Sequence, residues 1–570
     1  MIWHSPHPPL NIPTHLTTWQ WAFNSRFSPL HSPSQNPGSY TDTSTLASLP
    51  FPQVRELAPL LSTSLVHLYN LQPGETVSLF AGNSILYPVA MWASVRVGAR
   101  VNGANPAYGM EEMCEALRVA GTRVLFVGSE GLGVALQAVE RVGLGRERVV
   151  VLCDEGQWEG KGKGLMSLGE LVELGRKLEE VPEWSIPSDL TNKDVCGYLN
   201  FSSGTTGKPK AVMLSHHNII AQCHQLAQQQ VVSPGQRYKI LAVMPLFHIT
   251  GLVRFCHYPV FMNGDCLMLP KFDFTTMLQT IIKYKIEELI LVPPIMIRIV
   301  KDSAARPYLP KLREVVKRWS SGSAPISPEI ISLLQKEFPD AGFRQGYGAT
   351  ESTACISAHP PSHFDYKYAT TVGKLMANTE AKVISLTNPG EELGINETGE
   401  ICAKGPQIAM GYLDNEVATR ETFKDVWFHT GDVGYIDDEG LLHISDRIKE
   451  MIKVKGQQVA PAELEDLLLG HEAVEDVAVV GITNEYAGER PKAVVVLKKG
   501  VQSGEAIGRE LLEWVKGRKV RYKWVKEVEF VSEVPKSATG KLLRRVLRNR
   551  ERSGVARGLV VRDEKVAAKL

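Results

Sequence analysis

The sequence predicts an α/β fold whose sheets are mostly parallel. Short apolar runs at 77–80 and 124–127 alternate with stretches of helical periodicity such as Met110–Ala120. This alternation is typical of parallel sheets covered by helices. The chain has 570 residues, which is more than one hydrophobic core organises, so we expect two or more domains.

The composition favours small-molecule partners. There are 63 Lys and Arg residues against 62 Asp and Glu residues, and the formal charge of +1 gives no support for binding nucleic acid or an anionic membrane. The eight cysteines are widely spaced and predict reduced thiols rather than a disulfide framework or a metal site. No signal peptide or long apolar span is evident, so we expect a soluble, intracellular protein without a membrane span.

The loop between two predicted strands, 195–201 and 211–214, has the composition of a phosphate cradle. Its glycines allow close backbone approach, and its hydroxyl and ammonium groups suit phosphate oxygens. A P-loop is excluded, because two residues rather than four separate the first glycine from the Gly-Lys pair. An ordinary surface turn remains the alternative. The candidate ATP-binding residues are Ser202, Ser203, Gly204, Thr205, Thr206, Gly207 and Lys208.

Later strands also end at candidate site residues. The predicted strand 240–244 runs into His248, at the strand end where α/β sheets place ligands, although a lone histidine is often a core residue. The predicted strand 315–319 runs into the small residues of 320–325, which fit a ligand or merely a tight turn. In 344–352, Tyr347 offers a ring face to adenine, Thr350 a hydroxyl to phosphate, and Glu351 a carboxylate to Mg²⁺.

The order Ser-Ser-Gly-Thr-Thr-Gly-Lys-Pro-Lys at 202–210, together with Gln-Gly-Tyr-Gly-Ala-Thr-Glu at 345–351, resembles the signatures of the adenylate-forming (AMP-binding) superfamily. That superfamily includes acyl-CoA synthetases, luciferases and peptide-synthetase adenylation domains. The matching segments run from about residue 78 to residue 543, and they are most similar to acyl-CoA synthetases and 4-coumarate-CoA ligases. Ala349 departs from the bulkier Met of many relatives, which suggests a different or roomier acyl pocket.

The resemblance implies roles for individual residues of the large domain. His248 would lie over the substrate carboxylate, Asp432 would receive the ribose hydroxyls, and Arg447 would reach ribose or phosphate. As isolated residues, Asp432 and Arg447 would more often be capping or solvated groups. The implied nucleotide site also contains Ser323, Ala324, Gln345, Gly346, Tyr347, Gly348 and Thr350. The implied acyl pocket is lined by His248, Ile249, Thr250, Ser323, Ala349, Ala354 and Cys355.

The resemblance also implies the domain organisation. Residues 1–447 would form a large domain of doubly wound, mostly parallel sheets with a small β subdomain, and 448–570 a smaller, mobile α+β domain that pivots at Lys449. Lys541, in the Pro-Lys-Ser-Ala-Thr-Gly-Lys motif, would promote adenylation. After rotation, Lys453 and Gln458 would promote thioester formation, with Lys455 and Gly456 beside the CoA arm. We assign a structural turn to the further family motif at 399–406.

These matches imply an ATP-dependent acid–thiol ligase that uses ATP, Mg²⁺ and CoA to convert a carboxylic acid into its CoA thioester. An enzyme that delivers its acyl group to a carrier protein and a luciferase-like oxygenase share these motifs and remain alternatives. Thr250 stands where plant coumarate ligases often carry a tyrosine, which weakens a hydroxycinnamate assignment. Medium or long aliphatic acids, aryl acids and precursors of secondary metabolites all fit.

The last three residues are a close variant of the peroxisomal Ser-Lys-Leu address. We therefore expect a peroxisomal location, with an import receptor bound through Ala568, Lys569 and Leu570, and a cytoplasmic location otherwise.

Overall fold

A computed structural model describes residues 1–31, 36–154, 164–202, 210–322, 326, 328–388, 390–455, 457–484, 487–536, 542–554 and 558–563. Within these ranges the chain forms several mixed or antiparallel sheets, most of them covered by helices. The α/β class predicted from the sequence is confirmed. Among the same residues, no helix is both long enough and apolar enough to cross a membrane.

The first mixed sheet is parallel in its centre and carries an antiparallel edge. Its neighbouring strands, in spatial order, are Gly411–Tyr412, Lys210–Ser215, Cys196–Ser202, Arg100–Ala104, Thr76–Phe80, Thr122–Val127, Val149–Val151 and Met166–Ser167. The apolar runs read as strands are confirmed here, since their side chains are buried on both faces as in covered parallel sheets. The accompanying helices are Phe51–Tyr69, Leu86–Arg96, Met110–Ala120, Leu132–Val142, Leu168–Gly175 and His216–Gln228.

Two smaller mixed sheets complete the α/β part. One consists of Lys239–Ala242, Asp265–Met268, Ser39–Asp42 and Ser48–Pro50, and the other of Glu288–Leu291, Arg318–Ser321, Gly342–Tyr347, Ser357–Ala358 and Lys374–Leu375. Their helices are Ile249–Gly251, Tyr258–Phe261, Phe274–Tyr284, Pro293–Lys301, Leu309–Val315 and Pro328–Glu337. The π-helical turns are Gln20–Asn24 and Leu252–His257. The 3₁₀ turns are Ser129–Gly131, Arg146–Arg148, Ser303–Ala305, Thr350–Ser352, Pro361–His363, Tyr366–Tyr368 and Arg521–Lys523.

An antiparallel sheet forms a small β subdomain. Its strands are Ile2–His4, Glu380–Ile384, Gly399–Lys404, Trp427–Ile436 and Phe423–Lys424, with Leu442–Arg447 paired to Trp427–Ile436 and the helix Glu416–Thr422 alongside. This sheet corrects the prediction of a turn at 399–406. Most of that motif is the strand Gly399–Lys404, because Ile401 and Ala403 point into the subdomain core.

The last sheet lies entirely beyond residue 450 and has its own core. Its strands are Gln457–Val459, Ile452–Val454, Gly488–Leu497, Glu527–Phe530 and Val560–Arg562, with Val474–Asn484 paired to Gly488–Leu497. The helices Pro461–Leu469, Glu505–Lys516 and Arg544–Arg552 accompany it.

Candidate functional site

Two predicted nucleotide-site residues, Tyr347 and Arg447, converge on the carboxylate of a third, Asp432. The Tyr347 hydroxyl donates to Asp432 Oδ2 at 2.7 Å, and Arg447 Nε lies 3.2 Å from Asp432 Oδ1. Burial, and then the Asp432 charge, raise the pKa of Tyr347 well above its usual value, so its hydroxyl stays a donor. Burial disfavours the charge of Arg447, but Asp432, together with Glu450, Tyr347 and Glu351, outweighs burial and raises the pKa of Arg447. The arrangement brings together a ring, a cation and an anion from three separate motifs.

Strand pairing holds Asp432 in place. Asp432 lies opposite Arg447 in the pairing of Trp427–Ile436 with Leu442–Arg447. On the other side of the strand, the Glu400 carboxylate accepts from the Gly431 N–H at 3.1 Å and lies 3.0 Å from His429 Nδ1. The sequence did not identify Glu400 as a positioning residue for Asp432, although its motif was singled out.

Glu351 lies beside the strands that flank the candidate phosphate loop. It belongs to the 3₁₀ turn Thr350–Ser352, whose start is fixed by the Ala349 N–H donating to Ser352 Oγ at 2.8 Å. The Tyr412 hydroxyl donates to Glu351 Oε1 at 2.9 Å, and Lys210 Nζ lies 4.7 Å from the Tyr412 ring centroid. A carboxylate that accepts one hydrogen bond retains lone pairs for a cation, and Mg²⁺ in nucleotide sites needs only one or two protein carboxylates. Glu351 therefore fits a magnesium ligand.

The residues around Tyr347 differ in the contacts they make within the protein. The Gln345 side chain donates to the backbone carbonyls of Ala369 and Thr371, both at 2.9 Å, so its amide hydrogens are used within the protein. A Cβ at Gly348 would lie 2.2 Å from the Ala354 carbonyl oxygen, so this position requires glycine. A Cβ at Gly346 would have room, and its nearest neighbour, Cys355 Sγ, would be 3.7 Å away. Gln345 thus supports the turn that presents Tyr347.

His248 follows the strand Lys239–Ala242, as the sequence predicted, and is the N-cap of the helix Ile249–Gly251. Its Nδ1 accepts from the Thr250 N–H at 3.3 Å, which caps the helix Ile249–Gly251. Two amide side chains hold the backbone segment that leads to His248. Asn83 donates to the carbonyls of Ala242 and Met244, and Asn200 donates to the Phe247 carbonyl at 3.0 Å.

The predicted acyl-pocket residues come from two segments. Ile249 and Cys355 are buried, while Thr250, Ala349 and Ala354 are half-buried. Ala354 has a φ of 94°, and Thr353 before it has a φ of 50°, conformations that L-residues with side chains rarely adopt. Such strained backbone is found preferentially at functional sites.

The predicted CoA residues lie on a short hairpin formed by Ile452–Val454 and Gln457–Val459. Lys453 and Gln458 face each other across it, and Lys455 turns the chain with a φ of 50°. Lys453 and Lys455 are exposed. The exposed Lys449 precedes the hairpin, and its carbonyl accepts from Arg548 Nη1 at 2.8 Å.

Several predicted residues lie outside the described ranges. They are Ser203, Gly204, Thr205, Thr206, Gly207, Lys208, Ser323, Ala324, Gly456, Lys541, Ala568, Lys569 and Leu570. Ser202 and Lys210, which border the phosphate loop, are described and pair with each other across antiparallel strands.

Family models match both parts of the chain. The AMP-binding enzyme model matches residues 37–413, and the AMP-binding enzyme C-terminal domain model matches residues 463–541. Full-length relatives point the same way. The chain is 36% identical to a 4-coumarate–CoA ligase of Pinus taeda over 88% of this chain and 89% of that protein. It is 34% identical to 4-coumarate–CoA ligase-like 4 of Oryza sativa subsp. japonica, over 86% of each. It is 32% identical to peroxisomal OPC-8:0-CoA ligase 1 of Arabidopsis thaliana, over 89% of this chain and 90% of that one.

Solved structures share the fold. The anthranilate CoA ligase AuaEII in complex with anthranoyl-AMP superposes with a TM-score of 0.81 at 22% identity, over 95% of this chain and 99% of that one. The ATP-bound RpMatB-BxBclM chimera B3 gives a TM-score of 0.80 at 24% identity, over 94% and 99%. The fold and the two family matches define an AMP-forming acid–thiol ligase. The chain belongs to the AMP-binding enzyme family.

Proposed function

We propose that this ligase activates a carboxylic acid with ATP and transfers the resulting acyl group to CoA. In the first half-reaction, a carboxylate oxygen attacks the α-phosphorus of ATP, and the bond to pyrophosphate breaks. In the second, the CoA thiolate attacks the acyl-adenylate carbonyl carbon, and the bond to AMP breaks. The convergence of Tyr347 and Arg447 on Asp432 carries this proposal, because it joins aromatic, cationic and anionic groups suited to a nucleotide.

The adenylation residues have complementary roles in the proposal. Asp432 accepts from the ribose hydroxyls, and Tyr347 stacks on adenine beside Gly346. Ser323 and Ala324, from the separate segment 320–325, complete the proposed adenine site. Thr350, Lys541 and the loop from Ser202 to Lys208 donate to phosphate oxygens where charge accumulates, which is electrostatic catalysis by positioned groups. Mg²⁺ bound at Glu351 would neutralise part of the phosphate charge. His248 would orient the reacting carboxylate.

The second half-reaction uses a different set of residues. Lys541 would occupy the path of the pantetheine arm, so we propose that 448–570 rotates about Lys449 relative to 1–447. This motion replaces Lys541 with the hairpin that carries Lys453, Lys455 and Gln458. The proposal is supported by the placement of Lys453 and Gln458 on paired strands that begin just after Lys449.

The decisive experiment measures pyrophosphate release from ATP with a panel of aliphatic and aryl acids, with and without CoA. We expect turnover that requires an acid and is multiplied by CoA, with the acyl-CoA product detected by mass. A carrier-protein ligase or an oxygenase would form the adenylate without a CoA-dependent product. The proposed function would then be wrong, and a carrier protein or oxygen uptake would be tested with the same acid.

We also propose a peroxisomal location. The tail Ala568-Lys569-Leu570 supports it, and a relative is named as a peroxisomal CoA ligase. A fluorescent protein that ends in the last ten residues of this chain should enter peroxisomes, and removal of the final leucine should leave it in the cytosol.

A further inference from the structure

A buried cluster of arginines lies behind the candidate acyl pocket. The described residues place the guanidinium groups of Arg254, Arg318 and Arg344 around one carboxylate, that of Glu288. Arg318, Arg344 and Glu288 are buried, whereas Arg254 retains some accessible surface. Arg318 and Arg344 hold the pKa of Glu288 below its usual range despite its burial, so Glu288 is an anion. The cluster therefore has an excess of positive charge.

Glu288 is already occupied by other partners. Its Oε2 accepts from Arg318 Nη2 and from Gln230 Nε2, both at 2.8 Å, and its Oε1 accepts from the Ser320 hydroxyl at 2.7 Å. Arg344 Nη1 is 3.8 Å from Glu288 Oε1, too far for a hydrogen bond. The Glu288 charge also acts on Arg254, but none of the hydrogen bonds and ion pairs that Glu288 makes among the described residues reaches Arg254.

Arg254 has a buried polar atom without a partner. Its Nη1 is buried and has no hydrogen-bond partner among the described residues, and its guanidinium carbon lies 5.5 Å from the Tyr258 ring centroid. Nη1 of Arg344 is also buried and lacks a partner within the described part of the chain. Burying a guanidinium N–H without an acceptor is costly, so these atoms require an acceptor that the described residues do not supply.

The position of Arg254 connects it to the acyl pocket. It follows Thr250 by four residues in one continuous helical segment, so the two side chains lie on the same side of that segment. Its charge also acts on Cys355, which the sequence placed in the pocket wall. Its electrostatic neighbours Tyr238, Tyr258 and Cys355 are buried, whereas the Arg254 residue as a whole is half-buried.

We infer that Arg254 binds a second carboxylate of the substrate, at the end opposite to the carboxylate that is activated. This inference rests on the proposed ligase function and names its substrate class as dicarboxylic acids. Arginine presents paired N–H donors that match a carboxylate, and the second anion would offset the excess charge of the cluster. An α-helix would rise roughly 9 Å over the six residues from His248 to Arg254, and the π-helical turn Leu252–His257 shortens that rise, so the diacid must span at most about that distance.

The first test uses the unmodified full-length chain. CoA-dependent kcat/KM is measured at pH 8 for adipic, suberic, sebacic and terephthalic acids, each against its matched monoacid: hexanoic, octanoic, decanoic or benzoic acid. We expect at least one diacid to exceed its monoacid by about 10- to 100-fold, the range expected for charge-assisted hydrogen bonds. If each monoacid is used as well as its diacid, the inference is overturned while the ligase function stands. If no acid gives a CoA-dependent product, both this inference and the proposed ligase function are wrong.

The second test substitutes the residue. Arg254→Met keeps the length and removes the charge, so kcat/KM for the preferred diacid should fall about 10- to 100-fold, mostly through KM, while that for the monoacid stays or rises. Arg254→Lys should retain part of the preference. Arg420→Met, at an exposed helical arginine, is the matched control and should change neither. Equal losses on both acids would overturn the inference, and if Arg254→Met does not fold, the comparison of matched acids decides alone.

Discussion

Asp432 shows how a single side chain can link motifs that are far apart in the sequence. Its carboxylate contacts Tyr347, which is 85 positions earlier, and Arg447 on the neighbouring strand. The sequence motifs identified all three residues individually. Their convergence could not be read from local patterns, because it depends on how the β subdomain packs against the strand Gly342–Tyr347.

Asp432→Asn should weaken ATP binding. The amide keeps the shape of the side chain but loses the charge that accepts from ribose hydroxyls and pairs with Arg447. We expect KM for ATP to rise about 10- to 100-fold in the pyrophosphate assay, with little change in the melting temperature. Asp189→Asn, at an exposed position, is the matched control. An unchanged KM for ATP would remove Asp432 from the nucleotide site.

Roles for Arg254 and Glu400 were not predicted from the sequence, for different reasons. Glu400 acts across a strand pair on Gly431, and such a contact between distant residues leaves no local signal. Arg254 did leave a signal, since it is a lone charge within the apolar stretch 246–261. Its meaning depends on burial without a partner, which only the folded chain reveals.

At the scale of elements, the helix Pro461–Leu469 carries acidic residues that lie close to Asp446 on the strand Leu442–Arg447. Asp466 lies near Glu465 and Asp446, and Arg544 is hydrogen-bonded to Glu465 and paired with Glu450. Burial, and then repulsion from Glu465 and Asp446, raise the pKa of Asp466 to about 7, while Lys519 and Arg544 counteract them. Asp446 also accepts from the Ala462 N–H at 3.0 Å, which ties the strand Leu442–Arg447 to the start of this helix.

Asp466 should make stability depend on pH. The folded chain holds a proton on Asp466 that the unfolded chain releases near pH 4, so the free energy of unfolding falls as pH rises from about 4 to about 7. Asp466→Asn should therefore melt at a higher temperature than the unmodified chain at pH 8, and the difference should vanish toward pH 4. The gain is about 1.4 kcal/mol for each unit of the pKa shift that is realised.

Melting curves at several pH values test this expectation. Glu475→Gln, an exposed position in the same domain, serves as the control and should melt like the unmodified chain throughout. A difference between Asp466→Asn and the unmodified chain that stays constant from pH 4 to pH 8 would contradict the assigned proton.

Individual elements were more predictable than their arrangement. The helix Met110–Ala120 is confirmed, and the sequence also predicts Ser215 as an N-cap, which the structure confirms because Ser215 accepts from the Asn218 N–H at 3.2 Å; caps and periodicity are local signals. The sequence pattern at 16–27 predicts a helix, but the structure has only the short π-helical turn Gln20–Asn24 and its immediate neighbours. The Gly, Lys and acidic residues of 155–187 predict an exposed excursion, which is partly wrong, because Leu168–Gly175 buries its apolar face and Gly175 lies against the Leu60 backbone.

At the scale of the whole molecule, pairing between distant segments could not be predicted from the sequence. The Pro-, Ser- and Thr-rich first fifty residues predict a segment that wraps around the fold, yet Ser39–Asp42 pairs with Asp265–Met268, and Trp19, Trp21 and Phe23 join the main core. Asp265–Met268 lies more than 200 positions from Ser39–Asp42, beyond the reach of any window of periodicity. The AMP-binding resemblance, in contrast, indicated the overall architecture because its motifs span the chain.

The proposed rotation predicts that the two half-reactions can be separated. Lys541→Ala should abolish pyrophosphate release but still convert supplied acyl-adenylate into acyl-CoA, since the lysine acts only in adenylation. Lys449→Pro should spare adenylation and stop thioester formation, because proline restricts the pivot. Each half-reaction is assayed alone, by pyrophosphate release without CoA and by acyl-CoA formation from the adenylate.

Lys536→Ala is the control for Lys541→Ala. Lys536 belongs to the same motif, but its ammonium pairs with Asp476 at 2.5 Å on the surface, so both half-reactions should persist. If Lys541→Ala and Lys449→Pro impaired both half-reactions equally, one fixed arrangement would serve both steps, and the rotation would be wrong.

The hairpin of Ile452–Val454 and Gln457–Val459 carries a consequence for the evolution of acceptor choice. Because Lys453 and Gln458 face each other across this hairpin, they occupy a stretch of only a few residues that can be inherited or exchanged as one unit. Under the proposed mechanism, exchange of this hairpin between ligases would transplant both residues proposed to form the thioester without changing Asp432, Tyr347 or Arg447. Preference for the thiol acceptor and preference for the acid could thus diverge independently within one chain.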